Sequence, residues 1–143
     1  MSETGLKPKP LQWKSEPGIG YTVVRRPDGG MHFTFESLDR RTLEHWRNFA
    51  LAHLLDSDRL TRNLYDLRLL KDVPEGALEY ALELNTDPAA RNIRLAVVVS
   101  GEAVMEAMER IAALTPGGGV EMRIFLDMEK AEAWLSEPLT KIL

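Results

Sequence analysis

The 143-residue chain has no cysteine, which excludes disulfide scaffolds, thiolate catalysis and cysteine-ligated zinc or iron–sulfur centres. Histidine is scarce. His32, His45 and His53 show no metal-ligand spacing, none belongs to an HExxH pattern, and His45 and His53 stand eight apart on one expected helix. There is no GxSxG nucleophile elbow. No apolar run approaches membrane-spanning length, and the N-terminus MSETGLKPKP lacks the apolar centre of a signal peptide, so a cytoplasmic protein is expected. A basic surplus is missing too: the net charge is −4, which does not present the footprint that nucleic-acid binding needs. The charge is uneven, with twelve lysines and arginines against nine acids up to Lys71 and six against thirteen beyond it. That polarity fits a complementary surface, such as another copy of the chain, and equally a set of solvated charges.

What is present is the pattern of one layered domain. Residues 1–18, with Lys7-Pro8-Lys9-Pro10 and Glu16-Pro17-Gly18, show no apolar period and read as a flexible arm. Trp13 is the arm's one large apolar group, placed to tuck against the domain that spans 19–143. YTVVRR and MHFTFE flank PDGG, where Asp28-Gly29 suits a tight hairpin. Met31, Phe33 and Phe35 alternate with His32, Thr34 and Glu36, so one face of that strand is buried. A helix follows over 39–56, with Asp39 as N-cap and Leu38 and Leu43 as a hydrophobic staple. NLYDL, IRLAVVV and EMRIFL are further strands, the second apolar enough to be covered on both faces. PEGALEYALEL, GEAVMEAMERIAAL and MEKAEAWL are helices, started by Pro74, Ser100 and Asp127. The order ββαβαβαβα with right-handed crossovers predicts an α/β domain: a mixed five-stranded sheet, strands two to five parallel, and four helices.

Ligands of open parallel sheets gather beyond the carboxyl ends of the strands, where Asp39, Asp66, Arg68, Ser100 and Asp127 fall. Three of these are accounted for as helix caps. Asp66, Arg68 and Lys71 form a candidate anion or partner site, while pairing of those charges within the loop is the simpler reading. Gly117-Gly118-Gly119 follows a helix and precedes a strand, the reverse of a phosphate loop. The receiver-domain pattern fails as well, with Arg-Arg-Pro after the first strand and Leu-Asp after the fifth. No catalytic residue, metal or cofactor is expected. In the first helix Leu43, Trp46, Ala50 and Leu54 form the buried stripe, and Phe49 and Leu55 lie about 100° or more off it on opposite flanks. In the second, Glu75, Glu79 and Glu83 line one face, and Ala77, Leu78, Tyr80, Ala81 and Leu84 cover most of the rest. Such breadth suits a helix-on-helix layer or a homodimer contact. Phe33, Phe35, Trp46, Phe49 and Tyr80 are the candidate interface or pocket residues.

Two local patterns, NLYDLR and FLDMEKAEAWL (Phe125 to Leu135), together with the element order, resemble the SpoIIAA-like (STAS/SEC14-like) group related to anti-sigma-factor antagonists. The likeness covers roughly Ile19 to Leu135. It implies a small non-catalytic regulatory module that associates with a protein partner or with itself, and, from the SEC14 side, a binding domain for a small apolar or anionic ligand as the alternative. It also implies a phosphorylatable hydroxyl just after the third strand. Here that loop reads Leu67-Arg68-Leu69-Leu70-Lys71-Asp72-Val73, and the next serine or threonine is Thr86.

Overall fold

The computed structural model describes residues 13, 16–54, 61–87, 90, 93–115 and 120–138. The Gly117–Gly119 loop, Leu55 and most of the N-terminal arm lie outside them, as do the side chains of His53 and Leu54. β1 (Tyr21–Arg25) and β2 (Met31–Phe35) pair antiparallel, with Tyr21 opposite Phe35. Their turn has three residues rather than two. Gly29 N–H donates to the Arg26 carbonyl at 2.9 Å, and Arg26 N–H to the Gly30 carbonyl at 2.8 Å. Pro27 presets the turn, and Gly29 takes the left-handed φ of 94°. Asp28 contributes its carboxylate, which accepts the Gly30 N–H at 2.9 Å. Gly30 is required for a different reason: a Cβ there would stand 1.6 Å from the Arg62 carbonyl oxygen.

The remaining elements are α1 (Arg40–Leu54), β3 (Thr61–Asp66), α2 (Glu75–Thr86), β4 (Ile93–Val98), α3 (Glu102–Leu114), β5 (Val120–Phe125) and α4 (Met128–Ser136). The strands lie side by side in chain order, and β2 to β5 are parallel. Right-handed crossovers stepping in one direction stack α1, α2 and α3 on a single face. There Tyr21, Phe33, Phe35 and Val97 pack with Leu43, Trp46, Leu78, Val104 and Ile111 in the main core. Among the described residues α4 is the helix on the other face, where Ala131, Trp134 and Leu135 meet Leu64, Ala96 and Val98 in a smaller core.

Helix starts follow the sequence at two places and depart from it at two. Asp39 accepts the Thr42 N–H at 2.9 Å, and Asp127 the Glu129 N–H at 2.7 Å, both as N-caps. Leu38 and Leu43 both join the main core. Ser100 is not a cap, because Gly101 occupies that position and the Ser100 hydroxyl donates to the Arg68 carbonyl at 2.7 Å. Pro74 sits at the N-cap of α2, one residue before the helical turn. Phe49 also differs: it is buried with Leu43 and Trp46, because Trp13 closes over it with ring centroids 5.5 Å apart. The arm is therefore fastened at Trp13, which also packs 4.6 Å from Tyr21. The apolar breadth of α2 is spent between its neighbours α1 and α3.

Two glycines predict effects of opposite sign. Gly30→Ala should destabilise the fold by about 2–4 kcal/mol, since backbone must shift to admit the methyl group. Gly76→Ala, in the first turn of α2 with nothing within 4 Å, should stabilise it by a few tenths to about 1 kcal/mol. Urea unfolding of both variants measures the two effects.

Candidate functional site

The rim formed by the carboxyl ends of the parallel strands is built from loops held by backbone bonds. Leu67 N–H donates to the Val98 carbonyl at 2.8 Å, and Val99 N–H to the Phe125 carbonyl at 2.9 Å. Leu67 and Leu70 turn inward, so Leu69 between them is pushed out and stands 62% exposed. Leu126, just past β5, is 66% exposed.

Asp66 and Arg68 are brought together. Arg68 donates to the two Asp66 oxygens through Nε and Nη2, each at 2.9 Å, and its backbone N–H adds a third bond at 3.1 Å. These bonds from Arg68 hold the Asp66 carboxyl below the usual carboxylate range, against the opposing effect of burial. Asp66 is only 8% exposed and its guanidinium partner covers it, so the pair presents little unsatisfied charge. Lys71 is not part of this pair. It lines an open bowl between the β2–α1 loop and the start of α2, together with Glu36, Asp39 and Asp72. Three carboxylates beside one ammonium make that bowl a poor place for an anion.

The candidate aromatic residues divide by position. Phe33 and Phe35 stack with Tyr21 and Tyr65 in a ladder along the helix-covered face. Trp46 closes the ladder and donates its Nε1–H to the Tyr65 hydroxyl at 3.0 Å. Two apolar cavities flank Trp46. One of about 70 Å³ is lined by Met31, Phe33, Ala50, Tyr65 and Leu84 among others, and one of about 60 Å³ by Phe35, Leu38, Leu67 and Met108 among others. Each is less than half of the roughly 150 Å³ that admits a benzene ring. Tyr80 lies apart, at the seam of α1 and α2, beneath the Arg47 guanidinium at 5.7 Å, and Arg47 is in turn paired with Glu83.

Two polar groups escaped the sequence reading. Arg26 is 8% exposed and bridges Asp28 at 2.9 Å and Glu132 of α4 at 3.0 Å. Burial alone would lower its pKa, and the bonds and charges of Asp28 and Glu132 outweigh that and raise it. Beside it, His32 on the α4 side of the sheet keeps its Nε2 out of solvent with no hydrogen-bond partner among the described residues. The second group ties down α4. Arg62 Nε donates to the Leu135 carbonyl at 2.7 Å, and Arg94 Nη1 to the carbonyls of Trp134 and Glu137 at 3.2 and 2.9 Å. Arg94 is 6% exposed, lies 5.2 Å from the Trp134 ring centroid, and its Nε approaches Glu121 at 3.5 Å, an ion pair without hydrogen-bond geometry. The signal was available: an arginine inside the apolar run IRLAVVV must find buried acceptors. Among the described residues no three histidine or acidic side chains converge as a metal site, and no helix is long and apolar enough to cross a membrane.

No family model matches the chain, and no curated protein does. Among solved structures, an uncharacterized protein of the DUF3478 family from Shewanella loihica PV-4, described as having a SpoIIAA-like fold, superposes with a TM-score of 0.61 at 22% identity. The match covers 86% of this chain and 99% of that one. The fold is SpoIIAA-like, as the resemblance of the sequence implies.

His32 generates a pH prediction. Burial lowers its pKa; Asp66 and Glu132 pull the other way, while Arg26 and Arg68 add to the lowering. The unfolded chain thus takes up this proton at a higher pH than the folded chain does. Stability from this group is whole above the unfolded value of about 6.5 and falls as pH drops from there toward the lower folded pKa. His32→Gln should flatten the slope of unfolding free energy below about pH 6.5. Asp66, whose folded pKa is also lowered, contributes its loss only in more acid solution, below its unfolded value of about 4. Equal slopes for the two proteins between about pH 6.5 and 5 would contradict the assignment.

Proposed function

Taking the SpoIIAA-like fold as premise, we propose that the chain is a non-catalytic module that works by associating with a protein partner through the strand-tip rim. It does so without a phosphate switch on the β3–α2 loop. The rim itself supports this reading best. Five of its polar groups are engaged: Asp39 and Asp127 cap helices, Asp66 binds Arg68, and the Ser100 hydroxyl binds the Arg68 carbonyl. Two large apolar side chains, Leu69 and Leu126, stand exposed there beside the charged Glu36, Lys71 and Asp72. Residues Leu67 to Val73 carry no hydroxyl, so the contact is constitutive rather than switched by phosphorylation of that loop. Binding of an apolar ligand has less support, because Phe33, Phe35 and Trp46 are close-packed around small cavities and Tyr80 lies apart from them. Binding of an anion is opposed by the carboxylate already seated on Arg68.

Leu69→Asp/Leu126→Asp tests the rim. Partners retained by the wild-type chain should be lost from the variant, by about tenfold or more in affinity, while the unfolding midpoint stays within experimental error. Equal retention of the same partners by both proteins would refute the rim as the contact.

A further inference from the structure

The sheet ends at β5, and among the described residues no strand pairs with its outer edge. Along that edge the side chains alternate. Val120, Met122 and Ile124 point to the face covered by α1, α2 and α3, and Glu121 and Arg123 are exposed on the α4 face. Glu121 lies 3.5 Å from Arg94, and Arg123 leans over Trp134 at 5.6 Å with no carboxylate paired to it among the described residues.

We infer that β5 is a homodimer edge, joining antiparallel to β5 of a second copy about a two-fold axis through Met122. The charge pattern selects both the partner and the register. Centred on Met122, the pairing sets Glu121 of one copy opposite Arg123 of the other, twice over, and Val120 opposite Ile124. Centring on Arg123 would oppose arginine to arginine, and centring on Glu121 would oppose glutamate to glutamate. Centring between Met122 and Arg123 would set apolar side chains opposite charged ones, with the helix-covered faces turned to opposite sides. One register is complementary throughout, and it joins two five-stranded sheets into one sheet of ten strands with both helix layers on the same side. Isolated like charges on an edge strand would block such pairing. Here the two charges are of opposite sign and two residues apart, so a second copy satisfies them. The paired residues, Val120 to Ile124, leave out Leu69 and Leu126, though Leu126 lies just past β5. Variants at 121 and 123 keep both leucines, so they test the dimer apart from the partner contact proposed above.

Sedimentation equilibrium of the full chain provides the test. The wild-type protein should dimerise at about 100 µM or below, and Glu121→Arg, which creates two like-charge pairs, should raise the dissociation constant about tenfold or more. Glu121→Arg/Arg123→Glu restores opposite charges in every pair and should recover dimerisation to within about threefold of wild type. Because the chain has no cysteine, a thiol introduced as Met122→Cys can pair only with its own copy, across Cα atoms close enough for a disulfide. It should cross-link under mild oxidation, and Val24→Cys on the opposite edge strand should not. Circular dichroism confirms that each variant is folded. A wild-type monomer at about 100 µM, failure of the double reversal to recover in a folded variant, or cross-linking through position 24 but not 122 would each overturn the proposal.

Discussion

Because the strands stand in chain order and every crossover turns the same way, three helices crowd one face of the sheet and one helix is left for the other. The remaining structure is arranged around that imbalance. On the crowded side, apolar surface is plentiful, and α1, α2 and α3 bury an aromatic ladder whose polar tips satisfy one another: Trp46 with Tyr65, and Tyr21 with His45 at 2.7 Å. On the sparse side, α4 is nine residues long and cannot hold its place by burial alone. Charged groups make up the difference.

Those charges act at both margins of α4. Arg62 and Arg94 reach from β3 and β4 to the carbonyls that the helix leaves unpaired at its C-terminus, and Arg26 reaches from the hairpin to Glu132. A guanidinium suits the task, since its apolar face stacks on Trp134 while its N–H groups turn to carbonyls. Burying it costs desolvation energy, and the cost is offset only while every partner is in place. The smaller core is thus specified by directional bonds, whereas the larger core is specified by shape.

The sequence disclosed the layout because the layout depends on periodicity. Alternation in MHFTF, the apolar run in β4 and the stripe of Val104, Ala107, Met108 and Ile111 are local facts with one structural meaning each. Asp39 and Asp127 were legible as caps for the same reason. Ser100 was not, because α3 starts one residue later than its pattern suggests, which leaves Gly101 at the N-cap and the Ser100 hydroxyl donating to a carbonyl 32 positions away. The helical period sets Phe49 on an outer flank, and its burial is not legible there because its cover, Trp13, comes from a segment without any period. At the rim, the Asp66–Arg68 pair was legible from spacing, while the separation of Lys71 from it depends on how the loop turns between Leu67 and Leu70. The exposure of Leu69 depends on the same turn.

The three tryptophans stand in unlike places: Trp13 where the arm meets the large core, Trp46 inside that core and Trp134 beneath the arginines of the small one. Their indoles therefore see unlike surroundings: a half-wet aromatic nest, a dry interior with a phenol as acceptor, and a cationic roof. Intrinsic emission from this chain is a composite of three local reports. Chains keeping one indole at a time would each give the optical signature of a different place, and so reveal whether the arm's seam, the large core and the small one part in unison or in turn.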